Sequence, residues 1–503
     1  MPDLSRYLTV DRLQAEGDRW SVRTAIAATT AQASKTLIQV GTVLLLARLI
    51  VPEAFGAVAM VVAVIALFEL LRDFAVSTVV VGRDDVTQSE MSNLFWVTVC
   101  LSGAGFAAIC AAAPLFGAWF AGVAAEPLAI WLGLGILLSG LSTQHVAILR
   151  GRMRFAALSV TELAASAFGA CIAIVAAVMD AGIWALVAQR LATSGCVLLF
   201  AWLLSGWRPA GPSTDTPIGH LLGFGGNRSI PTIADHAARN LDQILIGWWW
   251  GAAGLGFYER TSKVFLAPIR NMSLPLYAVA ATTLADLRAA PEKYRRAYLR
   301  MLQSACMVTM PLSAVLIAAP DWAVTALFGH RWLDAAPIAM WIGIAAASLP
   351  AIRMSGWLLV SHERDGEFAR WSAADFLLRL LAVVGGLPFG PEGVVAALAL
   401  SGGLVRMPSL FWLAGRKGPV SMSDLYGALL PSMLIGGLIV ASILLARTLP
   451  VFQPLDPLAG FAAAALLALL GTVAGIVALP RCRRMLRDVR ILRLKLFRLE
   501  TGR

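Results

Sequence analysis

The sequence predicts an all-α polytopic membrane protein of about fourteen spanning helices. Three observations carry this. Apolar stretches of about 20 residues, the length that crosses a bilayer, recur along the whole chain. Of 503 residues, 58% are hydrophobic and only 14% charged, against about 25% charged in soluble domains. The apolar runs are continuous instead of alternating, which argues against a β-barrel.

Taken in order, residues 1–23 form a polar, partly helical tail with Arg6, Arg12, Arg19 and Arg23, and no cleavable signal peptide is evident. Spanning helices are expected at roughly 24–47, 54–81, 91–113, 127–149, 156–179 and 182–205, an N-terminal lobe at 24–205. A Pro/Gly/Ser/Thr-rich stretch, 206–217, reads as a cytoplasmic linker. A second lobe at 218–414 holds helices at roughly 226–250, 254–283, 298–319, 335–360, 367–387 and 391–414. Two more, near 424–446 and 458–480, occupy 415–480. Pro231, Pro268, Pro275 and Pro350 are expected kinks. In the tail 481–503, Met485, Val489, Leu492, Leu496 and Leu499 share one helical face among Arg483, Arg484, Arg487 and Arg490. That is a basic amphipathic helix suited to an anionic leaflet.

Loop charge sets the orientation. With the N-terminus inside, inside loops hold Arg83, Arg150, Arg152, Arg154, Arg208, Arg288, Lys293, Arg295, Arg296, Arg364, Arg416 and Lys417. Outside loops hold only Arg48, Arg331 and Arg447, so both termini are expected in the cytoplasm. The net charge of +11 is read the same way, not as nucleic-acid binding, since no binding motif accompanies it. The six cysteines lack CxxC or metal-ligand spacing, and the five in apolar segments are expected to be buried small hydrophobes. No metal, cofactor or catalytic constellation is predicted.

Shifting the chain by 200 positions brings VPEAFGAVAM (51–60) onto GAAGLGFYER (251–260), so Gly56 meets Gly256 and Phe55 meets Leu255. The same shift aligns two polar stripes. In the seventh helix Arg228, Asp235, Arg239 and Asp242 share one helical face; in the first, Gln32, Lys35, Gln39 and Thr42 do. A charge at the centre of a membrane helix costs roughly 2.5–3.5 kcal/mol on insertion scales. Both stripes are therefore expected to face a polar cavity and not lipid.

Further charges expected inside the membrane are Glu162, Arg190, Glu259, Arg260, Lys263, Arg270, Arg353, Asp375 and Arg379, with Glu69, Arg72, Asp73 and Arg406 nearer the cytoplasmic ends. Glu162 and Arg190 are expected to form a buried structural pair; Asp375 and Arg379, four apart, can neutralise each other. The set Lys35, Arg239, Arg260, Lys263 and Arg270 is only partly balanced by Asp235, Asp242 and Glu259. Excess positive charge in a low-dielectric cavity points to an anionic substrate such as phosphate. The acids are candidates for coupling protons or cations.

LLLARLIVPEAFGAVAM (44–60), LRDFAVS (71–77), SNLFWVTV (92–99), NLDQILIGWWWGAAGLGFYERT (240–261), PEKYRRAYLR (291–300), LFGHRWLDAAPI (327–338) and GWLLVSHERDGEF (356–368) resemble the polysaccharide-exporter, or Wzx-type flippase, family. The resemblance implies a V-shaped bundle of two six-helix lobes plus two C-terminal helices. It implies translocation of an undecaprenyl-pyrophosphate-linked oligosaccharide across the bacterial cytoplasmic membrane through a basic cavity, by alternating access. Asn240, Asp242, Gly256, Tyr258 and Arg260 match its motif, with Asn240 as a cavity-lining residue. Glu259 precedes Arg260, so the arginine stands one position later than is usual in the family.

The expected partners are the polyprenyl-pyrophosphate-linked oligosaccharide, membrane lipids under the basic tail, and polysaccharide polymerase or assembly proteins, with no nucleic acid. The alternative is an ion-coupled small-molecule exporter of the same superfamily, which would favour acidic or aromatic cavity residues. An enzyme is disfavoured, because no outside loop is long enough for an extracytoplasmic domain.

Overall fold

Prolines open many of the helices, where a missing N–H costs nothing. In the computed structural model, residues 19–74, 87–119, 125–152, 154–213, 241–266, 269, 284, 290–453 and 455–478 are described. The helices are α1 (Arg19–Leu49), α2 (Pro52–Phe74), α3 (Gln88–Trp119), α4 (Ala125–Gly151), α5 (Phe155–Val178) and α6 (Ile183–Ser205). Residues 241–261 form α7, whose backbone turns at Gly251 (φ 70°), and a π turn follows at Ser262–Leu266. Then come α8 (Pro291–Ala318), α9 (Pro320–Phe328), α10 (Ala336–Ser361), α11 (Asp365–Gly386), α12 (Gly390–Ser401), α13 (Met407–Gly415), α14 (Met422–Thr448) and α15 (Pro457–Ala478). A second π turn, Gly402–Arg406, joins α12 to α13. Among the described residues, ten helical stretches are long and apolar enough to cross a membrane. Pro350 lies inside α10, which continues through it; Pro231, Pro268 and Pro275 lie outside the described residues.

The chain forms two compact units, Met1–Gly256 and Phe257–Arg503. In the first, α3 pairs with α4, α5 with α6, and α1 lies on α5. The stretch after α6 is not a loose tether where it is described. Trp207, 5% exposed, joins Met91, Leu94, Phe95, Ala147 and Ile148 in a core. Asn93 donates to the Ser213 carbonyl (2.7 Å) and accepts from its N–H (2.8 Å). Trp96 donates to the Ala210 carbonyl (2.9 Å), whose N–H donates to Ser92 Oγ (3.0 Å). Residues 206–213 are thus strapped along the first turns of α3.

Among the described glycines of this unit, the tightest approach of backbone to backbone is at the crossing the repeat equates. A Cβ added at Gly56 would stand 1.6 Å from the Ala252 carbonyl oxygen, and one at Gly256 would stand 2.1 Å from that of Pro52. Ala252 is Pro52 shifted by the same 200 positions, so the contact is reciprocal, as a local two-fold demands. Phe55 and Leu255, also equivalent, are both fully buried.

In the second unit α8 packs on α10 and α14, and α15 lies outside α14 and α9. Bidentate ion pairs hold both ends of α14. Arg295 Nε and Nη2 meet Asp424 at 2.8 and 2.5 Å, where Ser421 and Asp424 close a capping box. Arg447 meets Asp321 at 2.8 and 2.7 Å and lies over the Trp322 ring, 4.6 Å from its centroid. The acid at the start of α14 and the base at its end also complement its dipole.

The cysteine expectation is corrected. Cys306 is buried, but Cys100 and Cys171 are exposed and Cys110 and Cys196 half-buried; Cys482 lies outside the described residues. In a membrane protein the lipid-facing side of a helix is as apolar as the core, so an apolar neighbourhood does not imply burial.

Candidate functional site

On α1 the four residues of the expected stripe differ in exposure. Gln32 and Gln39 are exposed, Lys35 is half-buried, and Thr42 is buried and donates to the Ile38 carbonyl (2.6 Å). Because α1 lies on α5, Lys35 Nζ reaches Glu162 Oε2 at 2.7 Å. Arg150, ending α4, stands 3.9 Å from the other carboxylate oxygen.

This overturns the expected Glu162–Arg190 pair. Arg190 Nη2 instead lies 3.3 Å from both oxygens of Glu69. The reason is depth. In the antiparallel α5–α6 hairpin, Glu162 stands level with about residue 199, some nine residues or ~14 Å along α6 from Arg190. Beside Glu69, Arg72 is 4% exposed and donates to the Ile136 carbonyl (3.2 Å) and Ser139 Oγ (2.7 Å). A buried guanidinium needs such acceptors.

In the second unit Glu259 is 3% exposed and meets Arg260 Nε at 3.0 Å and Lys263 Nζ. Two cations share one carboxylate. The Lys263 side chain is 56% exposed, so its cation is presented outward. The π turn Ser262–Leu266 begins there; such turns recur at functional positions. Asp242 Oδ1 accepts from the Gln243 N–H (2.8 Å) on α7. Arg239, Asn240, Asp235 and Arg270, with Arg228, lie outside the described residues, as do residues 1–18 and the C-terminal tail 481–503.

Asp375 and Arg379 do meet (2.7 Å), but not as a self-contained pair. Arg406 takes the same carboxylate with Nε at 2.5 Å and Nη2 at 3.2 Å. Sequence reasoning missed this partnership: Arg406 is 31 positions away and reads as a residue near a helix end. Among the described residues, no three His, Cys, Asp or Glu side chains gather as a metal site.

Bundled apolar helices carrying ion pairs within their spans define a multi-pass membrane protein. The chain belongs to the polysaccharide biosynthesis protein family, whose model matches residues 45–337. It is 24% identical to the teichuronic acid biosynthesis protein TuaB of Bacillus subtilis over 73% of this chain and 76% of that one. It is 22% identical to the lipopolysaccharide biosynthesis protein WzxC of Escherichia coli, covering 71% and 73%. It is 24% identical to the succinoglycan biosynthesis transport protein ExoT of Rhizobium meliloti, covering 74% and 72%. Its fold is similar to that of the lipid II flippase MurJ in an inward closed conformation: TM-score 0.68 at 13% identity, over 90% of this chain and 98% of that one.

Proposed function

We propose that this protein flips a polyprenyl-pyrophosphate-linked oligosaccharide repeat unit across the bacterial cytoplasmic membrane for exopolysaccharide or lipopolysaccharide synthesis. The observation that carries this is the pair of cations, Arg260 and Lys263, set on one buried acid, Glu259, in a chain of a polysaccharide biosynthesis family. A pyrophosphate and its sugars need a polar, basic route through hydrocarbon, whereas the polyprenyl tail stays in lipid. Lys35, Arg239, Arg260, Lys263 and Arg270 bind the anionic group in this reading; Gln32, Gln39, Thr42 and Asn240 line the route. Asp235, Asp242 and Glu259 are the acids available to couple transport to an ion. Loop charge favours both termini in the cytoplasm, and the basic tail 481–503 favours contact with the anionic leaflet. The chain moves its substrate without chemical change.

The test is reconstitution in proteoliposomes, offered a fluorescent polyprenyl-pyrophosphate sugar and, separately, a lipophilic cation. Protein-dependent transfer of the lipid-linked sugar is expected. Movement of the cation alone would sink the flippase reading in favour of a small-molecule exporter.

A further inference from the structure

The triad Asp375–Arg379–Arg406 is used by none of the roles above. Asp375 and Arg406 are each 7% exposed. The π turn Gly402–Arg406 ends on Arg406, which spends Nε and Nη2 on the carboxylate. Arg379 spends only Nε. Among the described residues, no acceptor meets its two Nη groups, and its side chain is 41% exposed.

The direction of that exposure is informative. Leu377, Leu381 and Val384 are 56%, 67% and 51% exposed and form the outward apolar stripe of α11. Arg379 stands about 160° round the helix from both Leu377 and Leu381. Its open fork therefore points away from the lipid-facing stripe, to the protein side of the α11–α12 hairpin.

Depth is the second point. Arg379 lies seven residues, roughly 10 Å, inside the Gly386 end of α11 and roughly 21 Å from the Asp365 end. Helical side chains lean toward the N-terminus, so the guanidinium leans deeper still, onto Asp375. A resident phospholipid carries its phosphate at the membrane surface, not there.

Arg364 shows what a structural arginine does in this protein. Its Nη groups donate to the carbonyls of Leu413, Ala414 and Lys417 and to Glu367. Arg379 has no such set. The triad carries two guanidiniums against one carboxylate, an uncompensated positive charge at a depth where charge is costly.

We infer that Arg379, held by the Asp375–Arg406 pair, is a station for the phosphate-bearing headgroup of a lipid-linked cargo in transit. This rests on the flippase reading, and the test separates the two. Purified full-length protein is titrated with farnesyl pyrophosphate, with inorganic pyrophosphate and with farnesol, and binding is read as thermal stabilisation. Transfer of the fluorescent lipid-linked sugar is measured in parallel. Farnesyl pyrophosphate is expected to stabilise the wild type and farnesol not. Arg379→Ala should weaken that binding and slow transfer at least tenfold, with Arg379→Lys intermediate. Arg379→Gln, close in shape, replaces the alanine variant if the latter fails to fold.

Binding and transfer unchanged in Arg379→Ala or Arg379→Gln overturn the station. Equal, Arg379-dependent stabilisation by inorganic pyrophosphate also overturns it, because the site then takes free anions without regard to the lipid. A wild type that binds farnesyl pyrophosphate through Arg379 but transfers no lipid-linked sugar supports the anion site and sinks the flippase reading.

Discussion

Gly56 and Gly256, 200 positions apart, face each other across a crossing with no room for a side chain on either. A Cβ on Gly56 would stand 1.6 Å from the Ala252 carbonyl oxygen, and one on Gly256 2.1 Å from that of Pro52. Backbone cannot rotate aside as a flexible side chain can. Gly56→Ala or Gly256→Ala should therefore force α2 and α7 apart and destabilise by about 1–3 kcal/mol. Thermal unfolding of the purified protein measures this, and an unchanged midpoint for both variants contradicts the crossing.

The ion pair Lys35–Glu162 separates a structural from a transport role for Lys35. Lys35→Ala is expected to impair transfer of the lipid-linked sugar while abundance stays near wild type. The swap Lys35→Glu with Glu162→Lys rebuilds the pair on exchanged helices. It should retain folding without restoring transfer. If the swap transports normally, Lys35 serves only to hold α1 on α5.

The bidentate pairs Arg295–Asp424 and Arg447–Asp321 hold opposite ends of α14. They are partly solvated, so each should show only a small favourable coupling in a double-mutant cycle. The two cycles should be independent, since the helix between them runs 27 residues, ~40 Å. Unfolding midpoints of the single and double alanine variants supply the numbers.

Asn93 uses both its amide nitrogen and its oxygen on the backbone of Ser213. Asn93→Ala should leave those groups to water and loosen the strap over 206–213. Limited proteolysis reads this as faster cleavage within that stretch, with Trp207 still holding its first part. No change in cleavage would show that the strap does not depend on Asn93.

The sequence by itself determined the class and the approximate boundaries of most described helices, because both follow from local quantities; the break expected near 250–254 falls inside α7, which runs on from 241 to 261 with a turn at Gly251. A run of apolar residues long enough to cross hydrocarbon has few alternatives to a helix. The equivalence of Gly56 and Gly256 was legible as a spacing, although their direct contact was not. The α1 stripe was legible because helical periodicity places residues on a face without reference to any neighbour.

Only the tertiary structure decided which charges meet. Glu162 pairs with Lys35 and not Arg190, because the hairpin sets Arg190 at another depth. Asp375 is shared by Arg379 and Arg406 because α11 and the π turn after α12 are neighbours in space. The exposed Cys100 and Cys171 belong with these. Composition marks a segment as apolar, but whether a side faces lipid or protein depends on what packs against it. The energy of a charge likewise depends on the distance to its partner, and sequence separation does not encode that distance.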